Sequence, residues 1–176
     1  MRRDAKLNLR AFQQELATRL AAKTAAQVEQ SRLGIACAGE QWLIRLADAG
    51  EVIAIPQMAT VPLTKPWYMG IANIRGNLYG VIDFAGFLGH PLEPVPPGTN
   101  QARLVLFGPR VGELRAGLIV HRVLGLRNLA QLKRSDTAAG APAWYGSRWA
   151  ETNGNVWQEI DLARLAQDPA FLQVGI

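Results

Sequence analysis

Cysteine and histidine are almost missing from this chain, which has one Cys (Cys37) and two His (His90 and His121) in 176 residues. A single thiol forms no intramolecular disulfide and no Cys-rich zinc site. Two isolated His residues make no HExxH pair and no imidazole cage. Serine is scarce as well. Ser31, Ser135 and Ser147 are the whole set, and none stands in a G-x-S-x-G elbow. Neither a GxxxxGK[ST] loop nor a GxGxxG turn occurs, so no nucleotide-phosphate cradle is expected. No run of about 18 apolar residues occurs, so no transmembrane helix is expected. No apolar run of about 7–15 residues follows Arg2-Arg3, so a secretory signal is not expected either. Together these gaps point away from an enzyme, a metal centre or a cofactor.

What the chain does have is ordinary globular texture. It is 49% hydrophobic and 19% charged, with mean hydropathy +0.02. That balance lies well away from the disordered class. The length suits one domain or two small subdomains. Net charge is +5 and pI about 9.9, which keeps a nucleic-acid partner open. The charge is unevenly placed, however. Residues 1–32 hold seven bases and three acids, and the other 144 residues together carry only +1. A nucleic-acid domain more often concentrates its charge on the folded body.

The basic arm reads as a helix over residues 1–30. Leu9, Phe12, Leu16 and Leu20 recur at helical spacing, and no Gly or Pro occurs before Gly34. The expected fate of this amphipathic helix is packing on its own domain, with a partner-binding or membrane-surface helix as the alternative. Residues 31–176 form the body. Short strands are expected at Leu33–Ala38 and Gln41–Leu46 around Gly39-Glu40, and at Glu51–Ile55 before Pro56. The Pro62–Pro66 stretch suggests a loop and then one helical turn. Strands at Ile71–Ile74 and Leu78–Phe84 flank Arg75-Gly76-Asn77, with Gly76-Asn77 as the hairpin signal. Residues 90–100 hold four prolines and form the expected exposed loop. Ala102–Phe107, Leu114–His121 and Val123–Arg127 follow as strands, with Gly112 at a turn and Gly125 at a bulge. The polar stretch Lys133–Gly140 separates them from a last hairpin, Arg148–Thr152 and Val156–Ile160, around Asn153-Gly154-Asn155. Asp161 and Asp168-Pro169 each open a short helix. Nine or ten short strands at this spacing suggest a sandwich or barrels.

The remaining polar residues read as structural. Cys37, between two alanines in a strand, is expected to be buried and inert. His121 is expected to be a hydrogen-bonded structural histidine, and His90 to be exposed. Asp83 is expected to satisfy backbone or Arg donors. The five Trp residues read as packing rather than a base-stacking platform.

Pro66-Trp67-Tyr68-Met69-Gly70-Ile71-Ala72-Asn73-Ile74-Arg75-Gly76, continuing to Val81-Ile82-Asp83-Phe84, resembles the CheW family signature. That signature is a Pro, a short helical turn, a G-x-x-N-[LI]-R-G hairpin and a strand ending near V-D-L. The likeness continues through Arg103–Phe107 and Gly117–Leu126, covering roughly residues 31–167. The N-terminal helix, Leu124–Asn128 and the Asp168-Pro169-x-Phe171-Leu172 ending are similar to CheW-like members of type IV pilus twitching systems.

The resemblance implies an all-β fold of two interlocked five-stranded SH3-like barrels, with an N-terminal helix and short C-terminal helices. It implies a cytoplasmic, non-catalytic adaptor without a cofactor. Such an adaptor bridges a methyl-accepting chemoreceptor tip and the regulatory domain of a CheA-type histidine kinase. In the twitching branch these partners would be a PilJ-like receptor and a ChpA-like kinase. No nucleic acid, membrane insertion or small-molecule substrate is implied. The arm precedes the likeness and is not expected to be needed for kinase binding.

The partner-binding residues carried over by motif are Glu51, Val52, Ile53, Arg75, Gly76 and His121. Arg75 matches the hairpin Arg, whose guanidinium can make a planar multi-donor contact to a receptor. It could instead hold its own hairpin, with Asp83 as a candidate partner. Glu51 matches the acidic position of a V-x-E-I stretch, and one of Val52 and Ile53 should face the groove while the other enters a barrel. His121 stands where the family usually has Asp. A small-barrel nucleic-acid-binding protein is the alternative reading, and a small-molecule enzyme is disfavoured by the missing polar constellation.

Overall fold

The computed structural model describes residues 3–91 and 101–176, and the side chains of the first helix from residue 13 onward. Two mixed sheets carry the body. The first has the order β8-β1-β2-β11-β10-β9, with β1 at Ser31–Cys37, β2 at Glu40–Arg45, β8 at Arg122–Asn128, β9 at Lys133–Ser135, β10 at Tyr145–Ala150 and β11 at Val156–Ile160. The second has the order β3-β6-β7-β5-β4, with β3 at Ala49–Ile53, β4 at Tyr68–Ile74, β5 at Asn77–Asp83, β6 at Arg103–Phe107 and β7 at Ala116–Val120. Neighbouring strands are antiparallel except β2 with β11 and β5 with β7. The chain crosses between the sheets, so β3 from the first half joins the second sheet and β8 from the second half joins the first. These are the two interlocked barrels expected, and β9 adds a sixth short strand to the first sheet.

The hairpins form where glycine permits them, one residue earlier than the sequence suggests. Cys37 pairs with Glu40, so the two turn residues are Ala38 and Gly39, at φ +55° and +76°. Ile74 pairs with Asn77, so the second turn is Arg75-Gly76, at φ +51° and +83°. Two positive φ values in a row define the type I′ turn, whose twist matches that of the flanking strands. The last hairpin closes over a longer loop, because Ala150 already pairs with Val156. No helical turn follows Pro66; a turn closed by Tyr68 N–H to the Lys65 carbonyl (2.9 Å) leads directly into β4. β3 starts at Ala49, two residues before the expected Glu51. The loop expected at 90–100 lies, from residue 92, outside the described residues.

The main core lies between the sheets. Strand alternation sends Leu33, Ile35, Cys37, Trp42 and Ile44 toward Val105, Phe107, Leu118 and Val120 of the opposite sheet. Phe84 opens α2 (Phe84–Phe87), which plugs this core, and Asp83 caps it by accepting from the N–H groups of Ala85 (3.0 Å) and Gly86 (3.3 Å). Asp83 is thus satisfied by backbone donors, as expected, and is not the partner of Arg75. α3 (Leu162–Leu165) and α4 (Pro169–Leu172) are capped the same way by Asp161 and Asp168, and they bury Leu162, Leu165 and Phe171. Trp42, Trp144 and Trp157 are buried, as packing predicts. A second cluster, Ala72, Val81, Leu104, Leu106 and Ile119, fills the five-stranded barrel.

The six-stranded barrel has a different interior. Its other face carries Arg32, Gly34, Leu43, Trp157 and Glu159. Gly34 lets the strands and ring approach closely there: a Cβ would lie 3.0 Å from the Trp157 ring and 3.2 Å from the Gly125 carbonyl. Arg32, only 6% exposed, donates Nε to Glu159 Oε1 (2.6 Å), and Trp149 Nε1 donates to Glu159 Oε2 (3.2 Å). A second Arg–Glu–Trp group repeats the theme, with Arg127 Nε and Trp157 Nε1 both donating to Glu151 Oε1 at 3.2 and 3.1 Å.

α1 (Arg3–Gln30) forms as expected, but its described side chains are not buried against the body. Residues 13–30 are all exposed, with Leu16 at 42% and Leu20 at 63%. The apolar stripe is short: Lys23 and Gln27 follow Leu16 and Leu20 on the same face. The helix is held at its base, where Arg32 Nη1 donates to the Glu29 carbonyl (2.6 Å) and Arg110 pairs with the Glu29 carboxylate (3.1 Å).

Candidate functional site

Glu51 and Arg75, two of the six residues singled out by the sequence motif, come together at one lip of the five-stranded barrel, with Val52 and Gly76 next to them in the chain. The Arg75 guanidinium pairs with the Glu51 carboxylate. Arg75 owes its position to the tight turn, whose αL conformation is disfavoured for a residue with a Cβ. Asn73 Oδ1 accepts from the Gly76 N–H (2.9 Å) and so locks this turn. Both charged side chains remain substantially solvent-exposed. Beside them opens a cavity of about 200 Å³, lined by Glu51 and Arg75 with Gly50, Asn77, Tyr79 and the Leu106–Pro109 stretch. Val52 and Ile53 divide as alternation demands: Val52 is 40% exposed, and Ile53 packs against the barrel interior.

His121 is not part of this cluster. It lies between β7 and β8, beyond the Val120–Arg103 pair at one end of β6, while Ala49 pairs with Phe107 at the other end. Its imidazole is exposed and makes no hydrogen bond among the described residues, contrary to the structural role expected. Only its backbone N–H is bonded, to the Ala36 carbonyl (3.1 Å). The position is a crossover between sheets, where the main chain is fixed and the side chain points away from both cores. His90 is exposed, as expected.

Sequence reasoning missed Asn77, Tyr79, Phe107 and Pro109 as lining residues. Asn77 had a signal, since it follows the Arg-Gly turn. Phe107 and Pro109 had none, because only the pairing of β3 with β6 brings them there.

Among the described residues, no nucleophile–base arrangement is present at this lip. Burial, with the nearby charge of Asp83, pushes the Cys37 thiol up to about 12, so it is not a thiolate at neutral pH. A second cavity, of about 400 Å³, lies at the mouth of the six-stranded barrel. Its Arg45, Arg134 and Arg164 are balanced by Asp48, Glu159 and Asp161. Burial raises the pKa of Asp48 above its ordinary value, against the pull of Arg45. Among the described residues, no group of His, Cys, Asp and Glu could hold a metal ion, and no helix is long and apolar enough to cross a membrane. The lip offers one exposed ion pair and a small recess, held on a rigid turn.

Known proteins share this fold. The family model described as the CheW-like domain matches residues 32–170. Protein PilI of Pseudomonas aeruginosa is 32% identical over 167 residues, covering 90% of this chain and 89% of its own length. That coverage exceeds what residues 31–176 supply, so the likeness extends into α1. The crystal structure of the scaffolding protein TtCheW from Thermoanaerobacter tengcongensis superposes with a TM-score of 0.62 at 18% identity, over 75% of this chain and 88% of that one. The fold, the hairpin motif and these matches lead to one assignment: the chain belongs to the CheW-like family of chemosensory adaptors.

Proposed function

We propose that this protein couples a methyl-accepting chemoreceptor to a CheA-type histidine kinase in the cytoplasm, within a system controlling type IV pilus twitching. The observation that carries the proposal is the exposed Arg75–Glu51 pair beside a small cavity. It offers a partner one guanidinium fork, one carboxylate and a recess for a side chain. A receptor tip built as a helical hairpin fits such a groove through apolar anchors on one helix face. Arg75, Gly76, Glu51 and Val52 supply the receptor contact, and Ile53 holds the lip from inside. His121, at the far end of β6, belongs to a separate surface, free for a kinase regulatory domain.

The twitching assignment draws on the likeness to PilI, which includes the helical arm. On this reading the receptor is PilJ-like and the kinase ChpA-like. The body, residues 31–176, carries both contacts, and removing residues 1–30 leaves kinase binding in place.

The test is a pull-down of the purified chain with a PilJ-type receptor tip and, separately, with the regulatory domain of a ChpA-type kinase. Both are expected to be retained. Binding to neither, together with duplex-DNA binding that weakens steeply with salt through counterion release, would support the nucleic-acid alternative.

A further inference from the structure

The cavity at the Arg75–Glu51 lip is the first of three that adjoin. Tyr79, Phe107 and Pro109 are shared with a neighbouring cavity of about 560 Å³, which continues to Glu113, Leu114 and Arg115. Leu114 and Arg115 are shared in turn with a third cavity of about 210 Å³, walled by Tyr68, Ile82, Phe171 and Leu172. A groove therefore runs from the charged lip to α4, and Arg115 stands where two of its cavities meet. Arg115 is exposed and pairs with no carboxylate among the described residues. Its Nη1 is instead aimed by Asn77 Oδ1, at 2.6 Å. Asn77 immediately follows the Arg75-Gly76 turn, so the hairpin tip positions both cations.

Resting on the receptor reading above, we propose that this whole groove takes one amphipathic helix of the receptor tip. That helix fills the apolar end beside Leu172 and presents an acidic side chain to Arg115. The sheet pairing selects a helix over an extended peptide. β5, which walls the groove, is already paired with β4 and β7, so it offers no free edge for strand addition. Charge complementarity selects the acid, because a guanidinium held by one neutral amide keeps most of its five donors for a carboxylate. Glu113 lines the same stretch, so the helix presents no second acid there, where like charges would repel.

The test uses the full chain and a PilJ-type receptor tip fused to a dimerising coiled coil, with affinities measured at low and physiological salt. Arg115→Ala is expected to weaken binding about tenfold. Arg115→Glu should weaken it further, and both should flatten the salt dependence. Leu172→Ala should weaken it independently, and kinase-domain binding should not change in any variant. Arg115→Lys should recover only part of the affinity, since it keeps the charge without the fork. Wild-type affinity in Arg115→Ala, with Arg75→Ala impaired in parallel, overturns the extended groove and leaves the receptor reading standing. Failure of the wild-type chain to bind the tip overturns both.

Discussion

Arg75 and Glu51 lie at opposite edges of the five-stranded sheet, yet their side chains form an ion pair. Glu51 is in edge strand β3, and Arg75 follows edge strand β4. Their contact spans the gap where the sheet curls into a barrel, beside the interior packing of Ile53 and Ile74. Closure leaves the sheet without a long free edge and sets the pair at the groove's lip.

The first expectation concerns this pair. Both side chains are exposed, so Arg75→Ala or Glu51→Ala should change stability by less than about 1 kcal/mol. Receptor binding should nonetheless weaken by about 1–3 kcal/mol in Arg75→Ala. Urea melts and binding isotherms on the same samples separate the two effects. A mutant that unfolds would make Arg75 a structural residue.

The second concerns the interior of the six-stranded barrel. The Arg32–Glu159 pair joins the first strand of the body to its last, and both side chains are nearly out of solvent. Removing one partner strands the other charge, which costs about 3–5 kcal/mol. Glu159→Ala should lose that much in chemical denaturation, and Glu159→Gln less, because an amide oxygen can still accept from Trp149. The double change Arg32→Met with Glu159→Leu should recover most of the loss. A single mutant within about 1 kcal/mol of wild type would contradict this account.

The third is a pH dependence. Hydrogen bonding from Asn155, aided by Asn153, Trp157 and the charge of Arg127 and opposed by burial, holds the Glu151 carboxyl below its usual 4.5. The unfolded chain therefore binds this proton more readily than the folded one. The stabilisation is complete above the unfolded value and fades as pH falls through the lower folded one. Melting temperature should drop more steeply below pH 4.5 in wild type than in Glu151→Gln. Parallel acid limbs would remove Glu151 from the explanation.

The fourth concerns Cys37. With its thiol raised to about 12 and its side chain buried, it should resist alkylation at pH 8 in the folded protein and react fully in denaturant. Rapid labelling of the native protein, followed by mass spectrometry, would contradict the burial.

Much of this architecture was legible in the sequence, for identifiable reasons. Strand alternation located nearly every strand, and Asp161 and Asp168 marked their helices because a carboxylate caps free N–H groups. Both tight hairpins were misplaced by one residue for a shared reason. In Ala38-Gly39 and Arg75-Gly76 the glycine takes the second turn position, so the residue before it also adopts positive φ. β9 was missed because Lys133-Arg134-Ser135 is an exposed edge strand without an apolar residue. Arg75 and Glu51 were each visible through the family motif, but their pairing was not. It depends on barrel closure, which no local spacing encodes.

The most direct test of the account is kinase autophosphorylation measured with receptor present, with and without this protein. Receptor control of the kinase is expected only when the protein is added, and it should fail with Arg75→Ala despite an intact fold. Receptor control that is the same in its absence, or that never appears in its presence, would contradict the adaptor reading.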